Sequence, residues 1–163
     1  LPLRRDAELI GDIFHEALSH VDRRAAKHEI RVELEDDMLM ANMDARLIVQ
    51  VIINIVNNAV KYTPEGSDIC LSAKKENSMV RIEIADNGPG ISDEAKQRLF
   101  DMFYTVNTGS AGADSRRGLG LGLSLCKSIV EAHSGSITVH DNQPHGSVFS
   151  FTLPLEEVKI QNV

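Results

Sequence analysis

Residues 79–86 read Met-Val-Arg-Ile-Glu-Ile-Ala-Asp, and their alternation constrains the fold more than any other segment. Val80, Ile82 and Ile84 share one face of a strand, while Arg81 and Glu83 point the other way. A strand with one apolar face needs a covering layer. Asp86 is in phase with the apolar set, so its carboxylate is aimed at the interior. A charge there is very costly unless hydrogen-bond donors meet it. Asn87-Gly88-Pro89-Gly90 follows directly and allows a tight turn with close approach of a ligand to the backbone. Taken alone, Asp-Asn-Gly is also an ordinary turn sequence.

The remaining segments supply that covering layer. Asp6 to about Lys27 reads as an amphipathic helix, with Ile10, Phe14, Ala17, Leu18, Val21 and Ala25 on one face. Arg31 to Glu35 and Leu39 to Met43 read as strands. Asp44 is placed to cap a helix running to about Tyr62, where Thr63-Pro64-Glu65-Gly66 stops it. Asp68 to Lys75 pairs naturally with the strand from Met79 through a turn at Glu76-Asn77-Ser78. A short helix is predicted from Asp93 to about Asp101, and another from the glycines at 118, 120 and 122 to about His133. Ser136 to His140 and Ser147 to Leu153 read as the last two strands. The pattern predicts an α/β two-layer sandwich, with helices on one face of a mixed, mostly antiparallel sheet. At 163 residues one domain is expected, since domains run to roughly 150 residues. Residues 104–117 contain only one strongly apolar aliphatic, Val106, and read as a long mobile loop of the lid type.

The charge excludes some functions. With 17 basic and 24 acidic side chains the net charge is −7, whereas a protein that holds nucleic acid by its phosphates should lean basic. Aromatics are 4% and tryptophan is absent, so stacking platforms for single strands are poorly supplied. Any phosphate site must be local, and no nucleic-acid partner is expected. Cys70 and Cys126 lack metal spacing and suggest no disulfide framework, which fits a reducing cytosol. The longest apolar stretch, Leu47 to Val56, is broken by Gln50 and Asn54 and is too short to span a bilayer. No signal peptide opens the chain, and Leu1 is not an initiator methionine, so a fragment of a longer protein is expected.

The helix after Asp44 carries the first chemical signal. Asn54, Asn58, Lys61 and Tyr62 form one stripe, opposite Ile48, Ile52, Ile55, Val56 and Ala59. Asparagine is a mediocre helix former, and a merely solvated face would more naturally carry Glu or Lys. The second signal is Gly118-Leu119-Gly120-Leu121-Gly122-Leu123 opening a helix, where exposed N–H groups and the helix dipole favour an anion. It is neither a Walker A sequence nor a dinucleotide fingerprint. Arg116, Arg117 and Lys61 can offset the overall acidity where phosphates would lie.

In order and content these segments resemble the GHKL ATP-binding superfamily, and within it the catalytic domain of sensor histidine kinases. QVIINIVNNAVKYTP is similar to the family's N box, DNGPGIS to its G1 box, LFDMF to its F box and GLGLGLSLCKSIVEAHSG to its G2 box. The likeness covers nearly the whole chain and implies the Bergerat fold, with residues 1–163 as one catalytic and ATP-binding domain and a lid around 104–117. It implies ATP and Mg²⁺ as ligands. Asp86 would accept from the adenine amino group, with Gly88, Gly90 and Ile91 shaping the base pocket. Asn58 would hold Mg²⁺, and Asn54, Asn58 and Lys61 would serve catalysis. Lys61 and Tyr62 would contact phosphate or ribose. Phe100 and Phe103 would anchor the near end of the lid. Gly118, Leu119, Gly120, Leu121, Gly122 and Leu123 would line the phosphates, with Arg116 or Arg117 as the lid cation.

One position separates the branches of the superfamily. Its ATP hydrolases, such as the gyrase, MutL and Hsp90 types, carry a glutamate four residues before the metal-binding asparagine. Here that residue is Asn54, and an amide cannot take a proton from water. The resemblance therefore implies a kinase that transfers the γ-phosphoryl group to histidine. Alternatives are a serine kinase of the anti-sigma-factor type and a non-catalytic nucleotide-binding interaction domain. The phosphoacceptor segment is expected outside this chain, on a dimerisation and phosphotransfer domain, because Phe14-His15-Glu16-Ala17-Leu18 lacks the basic residue and proline of the family's acceptor motif. His15 reads as a surface residue, and His20, His28, His133, His140 and His145 have no better claim. The run ADSRRGLGLGLSLCKSIV with MFYTVN before it most resembles potassium-responsive sensor kinases of the KdpD type. That implies a membrane-anchored parent with this domain on the cytoplasmic side, no membrane insertion by this segment, and a response regulator as phosphate recipient.

Overall fold

The first segment departs from its expected helix. In the computed structural model, which describes residues 2–102, 104 and 122–157, Asp6–Leu9 is a strand (β1) and only Ile10–Leu18 is helical (α1). The reason is a partner that helical spacing cannot reveal. Residues 6–9 pair antiparallel with a later strand, Asp6 opposite Met43 and Leu9 opposite Met40. The Ile10 amide then donates to the Leu39 carbonyl at 3.0 Å. After Leu18 the chain turns, with the Ser19 hydroxyl donating to the Glu16 carbonyl at 2.7 Å. Asp22 caps a 3-10 turn over Arg23–Lys27 by accepting from the Arg24 amide. The apolar face is nonetheless the expected one: Ile10, Phe14, Ala17 and Ala25 are buried, and Leu18 and Val21 pack on the core.

The other elements follow the expected order. They are β2 (Glu29–Leu34), β3 (Met40–Met43), α2 (Ala45–Tyr62), β4 (Asp68–Glu76), β5 (Met79–Asp86), α3 (Asp93–Arg98), α4 (Gly122–Ala132), β6 (Ile137–Asp141) and β7 (Ser147–Glu156). Asp44 stands just before α2, yet its side chain does not cap that helix. Its carboxylate instead accepts from the Arg4 amide at 3.1 Å. The Asp44 amide donates to Nε2 of the buried His133, whose Nδ1 donates to the Ile129 carbonyl. The start of α2 is thereby tied to the end of α4. Ser92 does cap α3, accepting from the Ala95 amide at 3.1 Å.

The strands form one seven-stranded sheet in the order β1-β3-β7-β5-β4-β2, with β6 also paired to β7. Only β2 and β4 run parallel; the other pairs are antiparallel. The helices lie on one face. β5 alternates along its whole length, with Val80, Ile82, Ile84 and Asp86 buried and the residues between them half-buried. Ile69 and Leu71 of β4 join Ile48, Ile52, Ile55 and Val56 of α2 in a single apolar core. Each fully buried side chain of that size contributes about 1.5–3 kcal/mol, so α2 is held by its apolar stripe and leaves its asparagine stripe free for other work. Among the described residues no helix is long and apolar enough to cross a membrane.

Candidate nucleotide-binding site

Antiparallel pairing sets Asp86, the last residue of β5, opposite Ser147, the first of β7, and opposite Ile69 of β4. The carboxylate is 8% exposed, as the phase of the strand predicts. It accepts from the Gly88 amide at 2.9 Å. Burial raises its pKa, while the backbone amides of Gly88 and Ser147 pull it back down. Those two amides are the donors that a buried carboxylate requires. Gly88 has no room for a side chain, because a Cβ would fall 2.5 Å from Thr63 Cγ2. Close packing of the turn on the end of α2 explains the glycine.

Above this acid lies a cavity of about 300 Å³ between α2, α3 and the sheet. Ala59, Pro89, Ile91, Ala95, Leu99, Leu123 and Phe149 give it apolar walls, and Asn58, Tyr62, Thr63, Asp86, Ser92 and Ser147 supply polar groups. An apolar slot with a few polar groups is the usual form of a small-molecule site. One buried carboxylate at its floor suits a flat heterocycle carrying an exocyclic amine.

The structure brings Asn58, Tyr62, Asp86, Gly90, Ile91 and Leu123 together around this cavity. Gly88 sits behind the wall, holding Asp86. Gly122 opens α4, next to the lining residue Leu123. Lys61 is not in the wall; its ammonium lies 5.2 Å from the centre of the Tyr62 ring. Asn54 is one turn before Asn58 and faces α4, where its amide donates to Cys126 Sγ at 3.8 Å. Burial pushes the Cys126 thiol up to about 11. Neither side chain can therefore accept a proton from water at neutral pH. Phe100 packs edge-on against Phe149 with ring centres 6.3 Å apart, which joins the segment after α3 to the cavity wall. Phe103, Arg116, Arg117, Gly118, Leu119, Gly120 and Leu121 lie outside the described residues, as does the expected lid apart from Tyr104.

Sequence reasoning missed Thr63, Leu99, Ser147 and Phe149 as wall residues. Ser147 and Phe149 stand two apart on one strand and so share a face, but only the pairing with β5 shows that this face meets Asp86 and Ile84. Thr63 ends α2 as the sequence predicts, and its hydroxyl donates to the Ala59 carbonyl at 2.6 Å, which holds its methyl against the turn.

Asn58 also tests the fit of Mg²⁺. Its side chain is half-buried, lines the cavity and has no hydrogen-bond partner among the described residues. Magnesium takes oxygen ligands and keeps few protein ones, leaving the rest to phosphates and water. A single free amide oxygen beside a nucleotide slot fits that habit. Among the described residues no cluster of His, Cys, Asp or Glu could hold a metal by itself.

An open mixed sheet with helices on one face and an acid-floored slot at the end of its inner strands defines a GHKL-type nucleotide-binding domain. The chain belongs to the family of histidine kinase-, DNA gyrase B- and HSP90-like ATPases, whose model matches residues 43–157. It is similar to the sensor protein KdpD of Clostridium acetobutylicum, 42% identical over 154 residues, which are 94% of this chain and 17% of that one. It is 37% identical over 150 residues to the adaptive-response sensory kinase SasA of Nostoc sp., covering 90% of this chain and 36% of that one. The chain thus spans well under half the length of either relative. Among solved structures, the catalytic domain of histidine kinase ThkA superposes with a TM-score of 0.81 at 28% identity, over 93% of this chain and 96% of that one. ThkA in complex with the response regulator TrrA superposes at 0.75 and 27% identity, over 92% of this chain and 41% of that one.

Proposed function

We propose that this chain is the ATP-binding catalytic domain of a two-component sensor histidine kinase. The observation that carries this reading is the pair of asparagines on α2. Asn58 lines the cavity with an amide that has no partner among the described residues, while Asn54, where the hydrolases of the superfamily place a glutamate, is turned to a protonated thiol. The slot is arranged to hold a nucleotide without activating water. A histidine acceptor needs no such base, because neutral imidazole is already a nucleophile.

In this reading Asp86 accepts the adenine amine and the apolar walls sandwich the base. Asn58 holds Mg²⁺, which when bound offsets charge on the β- and γ-phosphates. Lys61 and Tyr62 stand beside the phosphates or ribose, and Asn54 next to the metal ligand. An imidazole nitrogen on the dimerisation and phosphotransfer domain forms the P–N bond as the bridging P–O bond breaks. ADP leaves with the bonding pair, and the ring N–H proton passes to solvent. Catalysis rests on positioning and charge stabilisation rather than on proton abstraction. The domain sits on the cytoplasmic side of a membrane-anchored parent, and the phosphoryl group passes on to a response regulator. The similarity to ThkA, solved in complex with the response regulator TrrA, supports that recipient.

The histidines of the chain support an acceptor elsewhere. His15 and His20 are exposed on and after α1, with His20 against Glu16. His28 is bonded to Thr63, His133 is buried between α2 and α4, His140 lies near Glu83, and His145 donates to the Gly88 carbonyl. The chain incubated with Mg-ATP should show no phosphohistidine by mass spectrometry. Addition of a dimerisation and phosphotransfer domain from a KdpD-type kinase should yield acid-labile phosphate on that domain. Stoichiometric self-phosphorylation, or acid-stable phosphoserine on an added protein, would overturn the reading.

A further inference from the structure

The loop joining β6 to β7 reads from sequence as a plain connection, yet it grips the turn that carries the nucleotide acid. The Asn142 side-chain amide donates to the Asp86 carbonyl at 2.8 Å, and its Oδ1 accepts from the Gln143 amide at 2.9 Å. The backbone of Asn142 closes the loop by donating to the Gly146 carbonyl at 3.0 Å. His145 Nδ1 donates to the Gly88 carbonyl at 3.0 Å, which fixes the proton on that nitrogen. Gly146, at φ +111°, lies so close to β5 that a Cβ would fall 1.9 Å from the Asp86 carbonyl oxygen. The loop therefore holds the main chain on both sides of the Asp86-Asn87-Gly88 bend. Asn87 pins the same bend to β4, its Oδ1 accepting from the Asp68 amide at 2.8 Å.

We propose that Asn142 and His145 are positioning residues for purine recognition: by fixing the Asp86 and Gly88 carbonyls they aim the Asp86 carboxylate at the exocyclic amine. Neither residue lines the cavity; both act on it through the turn they hold. Both lie at the surface, His145 exposed and Asn142 half-buried, so water can replace their bonds and the free fold gains little from them. Their effect falls on the direction of one carboxylate. A hydrogen bond to a charged acceptor weakens steeply as its angle degrades, so small rotations of the bend are felt as lost affinity and lost base discrimination. This rests on the nucleotide reading of the site.

The test is calorimetric titration of the full chain with Mg-ATP and with Mg-GTP, alongside nucleotide-free melting. His145→Ala and Asn142→Ala should each weaken ATP about three- to tenfold, the scale of one lost hydrogen bond. Both should narrow the preference for ATP over GTP, with melting within about 2 °C of wild type. His145→Asn should restore both properties, because its Nδ2 occupies the place of Nδ1. The proposal is overturned if both alanine variants keep wild-type affinity and preference while Asp86→Asn weakens ATP; the site then stands without its brace. It is also overturned if His145→Asn is as weak as His145→Ala while both melt normally. Should wild type itself ignore Mg-ATP, the nucleotide reading fails first and the positioning role falls with it.

Discussion

Asn58→Asp is expected to abolish productive phosphoryl transfer while leaving the fold intact. The substitution is nearly isosteric, and Asn58 is half-buried without a partner among the described residues, so its replacement breaks no hydrogen bond among them. In the nucleotide-bound site the change is severe. A neutral amide oxygen becomes a carboxylate beside a triphosphate, and the amide donor is lost. Removing one well-placed charge-stabilising group typically costs about 10²–10³-fold in rate, and a like charge added at the same point acts in the same direction. Transfer to an added phosphotransfer domain should fall by at least about a hundredfold, with unchanged circular dichroism and melting. Undiminished transfer would remove Asn58 from the metal site.

Asp86→Asn is expected to weaken ATP about ten- to a hundredfold, because a hydrogen bond to a charged acceptor is worth about 1.5–3 kcal/mol. The amide oxygen can still accept from the Gly88 amide, so the turn survives. The buried carboxyl also gives the free wild-type fold a pH dependence, and its sign follows from the raised pKa of the folded carboxyl. A carboxyl whose folded pKa lies above its unfolded value stabilises the fold fully below the unfolded pKa, and that contribution is lost as pH rises through the folded value. The loss occupies the window between the ordinary value of 3.8 and the raised one, so melting of the wild type should fall as pH rises through that window, and Asp86→Asn should not show that step. Binding runs the opposite way: ATP affinity of the wild type should fall as acid protonates Asp86. Unchanged preference for ATP over GTP in Asp86→Asn would contradict its role as base acceptor.

The residues legible in the sequence are those whose position follows from a local period. Asp86 was visible because strand alternation carries a carboxylate to the buried face. Asn58 and Tyr62 were visible because four-residue steps put them on one side of a helix whose other side is apolar. What escaped depends on pairing between distant segments. Asp6–Leu9 continues the apolar spacing of α1 and reads as helix, but the open edge of β3 claims it. Asp44 marks the start of α2, yet its carboxylate is drawn to the Arg4 amide, a contact that no local rule contains. Ser147, Phe149 and the bracing pair Asn142 and His145 reach the site only through the register of β5 with β7. Lys61 shows the opposite case: its phase on α2 is right, but a long side chain can settle on the neighbouring Tyr62 ring instead of reaching into the slot.

The central claim is that the slot binds Mg-ATP and does not hydrolyse it. Titration of the purified chain with Mg-ATP in a calorimeter tests both halves at once. The expected record is saturable binding at one site, with heat returning to baseline after each injection. Sustained heat from continuing phosphate release would contradict the reading that Asn54 cannot activate water and make the chain an ATPase. Absence of any binding heat across temperatures would contradict the nucleotide site itself and favour a non-catalytic interaction domain.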